Sequence, residues 1–439
     1  MLKVRGRWLP GAGILALAFF LATVVPAAHG QGVEAGASAS ALGPAYSLPP
    51  AKLAKAIALD RQENMLAAAS VIWGFLSLYL ILQWRVASSL SRYCAVRTNH
   101  RWLQGLLYAP LILLLITLLH LPVSLYGHHI GLRFGLSVQH WGSWILDWTK
   151  SLLLTLVVGA AVFSLLFAII RKSPRLWWFW FWIASIPLTL AAVFLVPIVI
   201  DPLFNHYEPL AQSNPALVAQ LERVVEKSGI TIPPSRMYLM KASEKVTTAN
   251  AYVTGFGASK RVVVWDTTIH SSTPDGILFV FGHELGHYVL GHIVSGTTLS
   301  IFGTLLFLWI GYHFSYWLIR RFGGRWKIAD MSEWSAVVVL LLVANVLTFF
   351  SSPFENGISR YFEHQADIYG EEVIHGIVAN PQKTAQESFQ ELGEDALDVP
   401  HPNPLLVFWS FSHPTILERA TFARDYDPWA PGKRPKYVK

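Results

Sequence analysis

The sequence is short of two things, cysteine and charge. Its 439 residues contain one cysteine, Cys94, so no intramolecular disulfide framework exists. A zinc site built on cysteine thiolates is excluded too, and any zinc must be held by histidine and carboxylate. Charged residues make up 14% of the chain, against about a quarter in a typical soluble protein. Mean hydropathy is +0.41, and several apolar runs are long enough to cross a bilayer. The net charge is +7, but the cations cluster in short stretches beside those runs. They read as membrane-topology signals rather than as a nucleic-acid surface. The expected partners are a lipid bilayer and a peptide or protein substrate, not a nucleic acid. Nothing in the pattern specifies an oligomer.

What is present centres on Phe281-Gly282-His283-Glu284-Leu285-Gly286-His287. Residues four apart on an α-helix share a face, so His283 and His287 can reach one metal ion. Glu284 stands beside them, placed to take a proton from a hydrolytic water. Ile277 to Phe281 and Tyr288 to Leu290 surround the pair with apolar side chains. A five-residue pattern also arises by chance in core helices, so its weight depends on the rest of the chain.

Met1 to Gly30 has a basic start (Lys3, Arg5, Arg7), an apolar stretch from Ile14 to Val25 and small residues before Gln31. This is an export signal or a retained first transmembrane helix. Gln31 to Pro50 reads as a loose linker and Ala51 to Glu63 as a polar helical lead-in. Four spanning segments follow: Met65–Trp84, Trp102–Tyr126, Leu152–Ile170 and Leu176–Ile200. The block Trp177 to Trp182 is an interfacial aromatic belt.

Asp201 to Ile293 is mixed and polar, patterned as a small α+β unit. It holds a helix after Asn214-Pro215, strands at Met237–Met240, Ala249–Thr254 and Arg261–Trp265, and the His-Glu-x-x-His helix from Thr273-Pro274. Thr297–Ile319 and Trp334–Phe350 are two more spans, and the chain after Ser351 is polar again. It therefore divides into residues 1–30 (signal or first helix), 31–63 (linker and lead-in), 64–200 (membrane bundle), 201–294 (catalytic region), 295–353 (two membrane helices) and 354–439 (third ligand and C-terminal catalytic region).

Three loops carry the basic residues: Arg85, Arg92, Arg97 and Arg101; Arg171, Lys172 and Arg175; Arg320, Arg321, Arg325 and Lys327. Counting spans puts all three on the side of Lys3, Arg5 and Arg7, which the positive-inside rule assigns to the cytoplasm. The catalytic segments then meet outside the cytoplasm.

A hydrolytic zinc site has three protein ligands and an open position. Glu363 is the expected third ligand, on a helix just after the last span and near the same membrane surface as His283. Asp367, one turn further, can orient a ligand histidine by accepting its other ring proton. His292 and His364 compete as ligands, but both are read as structural.

His283-Glu284-Leu285-Gly286-His287, together with Glu363 and Asp367 in Ser-Arg-x-x-Glu-x-x-Ala-Asp, resembles the CAAX prenyl protease type 1 family of integral-membrane zinc endopeptidases. So do Asp201 to Leu210, Asn250-Ala251-Tyr252 with Lys260 to Thr267, and Ser412-His413-Pro414 with Glu418-Arg419. The resemblance implies one zinc ion per chain and a ring of seven helices around an intramembrane chamber, or six if the signal is cleaved. It implies His283, His287 and Glu363 as ligands and Glu284 as general base. It places His413 near the scissile carbonyl and makes Asn250 to Thr254, with Asn250, Ala251 and Tyr252, the edge that pairs with an extended substrate. Catalysis in the resembled family faces the cytosol, whereas the charge count here faces it outward. That contrast favours processing or quality control of membrane or exported proteins over CAAX-box processing. A non-hydrolytic scaffold holding zinc structurally is the rival from another class.

Overall fold

The structure is a computed structural model that describes residues 43–255 and 260–438. The signal or first-helix segment and most of the linker lie outside the described residues. Six helices are long and apolar enough to cross a membrane among those described. The first, α1 (Pro50–Gln83), merges the polar lead-in and the first span into one rod. It is followed by α2 (Val86–Arg97), α3 (Arg101–Arg133), α4 (Trp141–Lys172) and α5 (Trp177–Leu195), whose path continues as a wide turn and a short helix to Phe204. The arginine-rich connection after α1 was expected as a loop. It is the helix α2, because Ala87, Ser88 and Cys94 are buried and give it a face to pack on.

The mixed region then supplies a four-stranded sheet. Its strands are β1 (Tyr207–Pro209), β2 (Met237–Met240), β3 (Ala251–Thr254) and β4 (Arg261–Trp265), in spatial order β1-β2-β4-β3. Only the β2–β4 pair is parallel. Helix α6 (Pro215–Lys227) lies between β1 and β2 in sequence and buries Leu217, Leu221, Val224 and Val225, the stripe its 3.6-residue period marks. It stops before Gly229, whose φ of +71° suits only glycine well.

Helix α7 (Pro274–Val289) carries the His-Glu-x-x-His sequence. Thr273 caps it by accepting from the Gly276 amide, and Pro274 opens it where no N–H partner is needed. Gly276 to Gly286 is buried without a break, so α7 is a core helix enclosed on all sides. Phe279 meets Phe389 edge-on at 5.2 Å, and burying each such ring contributes about 1.5–3 kcal/mol.

Gly291, at φ +72°, ends this run and starts α8 (His292–Trp326), the fifth spanning helix. The sixth, α9 (Ala336–Ile374), does not stop where hydropathy falls at Phe350. It runs on as one 39-residue helix through Glu363 and Asp367. After it come α10 (Pro381–Ala396), α11 (Pro404–Ser410) and α12 (Ile416–Asp425).

The basic segments gather at one end of the bundle. Arg85 Nε donates to the Arg325 carbonyl (3.0 Å), and Arg171 Nε donates to that of Ser332 (3.2 Å). The first turn of α1 is at the other end, where Lys52 pairs with Glu394 of α10 at 2.7 Å.

Candidate metal centre

Two helices make the centre, and glycine sets how close they come. A Cβ on Gly282 of α7 would lie 2.7 Å from Val373, and one on Gly370 of α9 would lie 2.8 Å from the His283 nitrogen. Both distances are shorter than carbon and nitrogen tolerate, so only glycine permits this crossing. At that approach His283 and His287 on α7 face Glu363 on α9.

His283 Nε2 and His287 Nε2 are 3.2 Å apart. Glu363 Oε2 is 3.3 Å from His283 Nε2, and its Oε1 is 3.4 Å from His287 Nε2. Donors at about 2.0–2.1 Å around a tetrahedral zinc stand roughly 3.3 Å from one another, so this triangle has the edge length that one zinc ion requires. The charges fit as well. Glu284, Glu363 and Asp367 face the single guanidinium of Arg419, leaving two negative charges in excess for a dication to neutralise. Glu363 Oε2 is buried, with the ring nitrogens of His283 and His413 3.3 and 3.2 Å away, and a buried carboxylate is costly unless cationic charge compensates it. Among the described residues His283, His287 and Glu363 are the group that can hold a metal.

The surroundings fix these side chains. His283 Nδ1–H donates to Asp367 Oδ1 at 2.8 Å. Arg419 grips Asp367 from the other side, with Nη2 to Oδ1 at 2.5 Å and Nε to Oδ2 at 2.9 Å. All three are buried. Burial alone would push the His283 imidazole down, but the hydrogen bonds and charges of Asp367 and Glu363 outweigh it. Without metal the ring is held up at about 9. For Arg419 the same contest leaves the guanidinium above its ordinary value, because Asp367 and Glu363 offset its desolvation. A capping box at Thr415 and Glu418 starts α12 and so aims Arg419 inward.

His413 stands just before that cap, with Nε2 3.2 Å from Glu363 Oε2. Its approach is set by Arg360 on α9, whose guanidinium holds the carbonyls of Val407 and Phe411. His413, Arg419, Phe411, Thr248 and Ala249 line one groove.

That groove leads to β3, which is an edge strand. Asn250, Ala251 and Tyr252 differ there. Asn250 spends its backbone inside the protein: its N–H donates to Thr268 Oγ1, and its carbonyl accepts from Trp265 N–H and Thr268 Oγ1. The antiparallel register pairs Tyr252 with Val263 in the same phase, so its peptide groups also turn toward β4. Ala251 and Val253 are out of phase and present theirs to the open edge.

His364 packs its ring against Phe422 at 4.6 Å, away from the centre. His292 lies outside this triangle, but its Nδ1 is 3.0 Å from His287 Nδ1. The roles of Arg360 and Arg419 were missed from sequence. Arg360 and Arg419 did fall inside the quoted motifs, and that was the available signal.

Comparison with known proteins shows the family. The family model for peptidase family M48 matches residues 211–427. That for the CAAX prenyl protease N-terminal region, with five membrane helices, matches residues 44–206. A Bacillus subtilis protein named as an uncharacterized metalloprotease, YhfN, is 30% identical over 380 residues, 87% of each chain.

The chain belongs to peptidase family M48.

It is a membrane zinc metalloprotease, which decides against the non-hydrolytic scaffold. CAAX prenyl protease 1 of Saccharomyces cerevisiae is 28% identical, covering 74% of this chain and 72% of that one. The human CAAX prenyl protease 1 homolog is 25% identical over 76% and 77%. The crystal structure of S. mikatae Ste24p shares the fold, with a TM-score of 0.73 at 24% identity, covering 86% of this chain and 91% of that one. The five-helix family model covers residues 44–206, where the described residues hold α1 to α5, four of them long and apolar enough to cross a membrane.

Proposed function

We propose that His283, His287 and Glu363 hold the zinc of this protease and that Glu284 is its general base. When bound there, zinc polarises a peptide carbonyl and lowers the pKa of water toward about 7. Glu284, on the same buried turn as both histidines, takes the proton of the attacking water and returns it to the leaving amine. His413 Nε2, across the centre at 3.2 Å from Glu363, donates to the oxygen that gains charge as the carbonyl becomes tetrahedral. Asp367 holds His283 in the tautomer that leaves Nε2 free to ligate. The substrate lies extended along β3, taking its main-chain bonds from Ala251 and Val253, with Asn250 and Tyr252 bracing that strand. The observation that carries this reading is the triangle of 3.2, 3.3 and 3.4 Å among the three ligand side chains. Its test is zinc content and peptide hydrolysis of Glu284→Gln: zinc is kept and cleavage lost. Native cleavage by that variant refutes it.

For the physiological role, processing or quality control of membrane or exported proteins fits best. The basic segments meet at the bundle end remote from α10, and cations mark the cytoplasmic side. The catalytic face is then extracytoplasmic. A reporter active only outside the cytoplasm, fused after Lys439, tests this; activity of a cytoplasmic reporter there refutes it. CAAX-box processing is the second reading, favoured by the named yeast and human relatives. Cleavage of a prenylated peptide beside its unmodified twin separates the two.

A further inference from the structure

Glu372 is buried on α9, beyond Asp367, and its carboxylate is committed to one nearby segment. Its Oε2 accepts from the backbone N–H groups of Tyr437 (2.7 Å) and Val438 (2.8 Å), and its Oε1 from the Lys436 N–H and the Tyr426 hydroxyl. Three consecutive peptide N–H groups on a buried carboxylate are charge-assisted bonds, the strong kind. Residues 436–438 are thereby fixed against the catalytic region.

The Tyr437 side chain then points along a row of polar groups that ends at the centre. Gln365 Nε2 is 3.0 Å from the Tyr437 hydroxyl, and Gln365 Oε1 is 3.1 Å from His292 Nε2. His292 Nδ1 is 3.0 Å from His287 Nδ1. Phe362 stacks on the His292 ring at 4.2 Å and 3°, which fixes its plane. Proton positions are consistent along the row. If His287 gives its Nε2 lone pair to the metal, its ring proton sits on Nδ1 and is donated to His292 Nδ1. His292 then carries its proton on Nε2 and donates to Gln365 Oε1. That leaves the Gln365 amide to donate to the Tyr437 oxygen. The other Gln365 amide hydrogen goes to the Tyr361 hydroxyl at 3.4 Å, and no reversal is needed at any link.

We infer that Tyr437 is a positioning residue for the metal centre: fixed by Glu372, it holds Gln365 and, through His292, the ring of His287. The inference rests on the reading of His287 as a ligand. It assigns to residues 436–438, about 150 positions from the zinc helix, a share in metal retention.

The test uses the full-length protein, zinc-loaded in detergent, titrated with a chelator that reports zinc release. Outer partners of ligand histidines are worth about 10–100-fold in metal affinity. His292→Leu and Gln365→Leu should each weaken retention about tenfold, and Tyr437→Phe about threefold, the smaller loss at the far link. Tyr437→Phe keeps the ring and the N–H bond to Glu372, so its metal-free melting temperature should not move. Because the links act in series, Gln365→Leu with Tyr437→Phe should lose no more than Gln365→Leu alone, a coupling that mere packing would not produce. If Gln365→Leu and Tyr437→Phe each retain zinc like the parent while His287→Gln releases it, the inference is overturned. If His287→Gln itself retains zinc, the ligand assignment fails first. Additive losses in the double variant would also overturn it, showing two separate packing effects.

Discussion

Replacing Arg419 by leucine is the sharpest test of how the centre is held. Arg419, Asp367 and Glu363 have side chains 2%, 1% and 6% exposed. The guanidinium gives Asp367 two hydrogen bonds and lies 3.7 Å from Glu363. Leucine would fill most of the volume but leave the Asp367 carboxylate buried with only the His283 ring as donor. Breaking a buried pair by removing one partner costs about 3–5 kcal/mol, against a net stability of about 5–15 kcal/mol for a typical protein. The loss should be smaller with zinc bound, since the dication supplies part of the missing positive charge. Arg419→Lys should fall between: it restores the charge but not the two-pronged geometry. The assay is thermal unfolding of the three proteins in one detergent, each with and without zinc. The expected order is parent, then lysine, then leucine, with the gap widest when zinc is stripped. A leucine variant as stable as the parent without zinc would refute both the charge balance and the role given to the Asp367–Arg419 pair.

Further outcomes follow from the same geometry. Glu284→Gln should lower peptide cleavage by about 10²–10⁴-fold while zinc stays stoichiometric, measured by metal analysis beside single-turnover kinetics. Gly370→Ala puts a methyl 2.8 Å from the His283 nitrogen; forcing the helices apart should cost about 1–3 kcal/mol and weaken zinc retention, read by melting and chelator titration. Metal-free protein should lose stability as pH rises from 6.5 to about 9, because the raised His283 value contributes stability below its ordinary pKa that vanishes as the ring deprotonates. Zinc should remove that dependence, since it takes the place of the proton; a flat metal-free profile would contradict the assignment. Zinc uptake should likewise release protons below about pH 9, detectable by calorimetry in buffers of different ionisation heat.

Legibility in the sequence tracked the distance over which each signal acts. The two histidines of α7 were readable because four-residue spacing is a local property of a helix. The six spans were readable because a bilayer demands long apolar runs. That Asp367 shares a helix face with Glu363 followed from their four-residue offset. By contrast Arg419 meets Asp367 across 52 positions and His283 across 136, and no local pattern announces such a pairing. Helix α2 was hidden by its arginines, although Ala87, Ser88 and Cys94 supply a buried face. Strand β1 is three residues long and ends in proline, too short for alternation to register. Asn250 shows the reverse limit. Its neighbourhood was read correctly as an edge, but which peptide groups point outward depends on a register that only the paired strand supplies.

The continuity of α9 says most about how the enzyme works, and hydropathy concealed it. An apolar run ends near Phe350, yet the backbone keeps its hydrogen-bonded path to Ile374. The turn at Gly357 to Arg360 therefore replaces a boundary between domains with a rigid connection. Twenty-seven residues separate Ala336, beside the basic end, from Glu363, which at 1.5 Å per residue is about 40 Å. The hydrocarbon layer is about 30 Å thick. With the arginines of α8 and α4 in one headgroup layer, the Glu363 carboxylate stands just past the opposite edge of the hydrocarbon layer. A tilt of about 20° shortens the rise only slightly. At that height a substrate strand can approach β3 from the water or from the bilayer. That depth suits the proposed processing of membrane or exported proteins, and α9 sets it because the same helix carries Glu363 and Asp367.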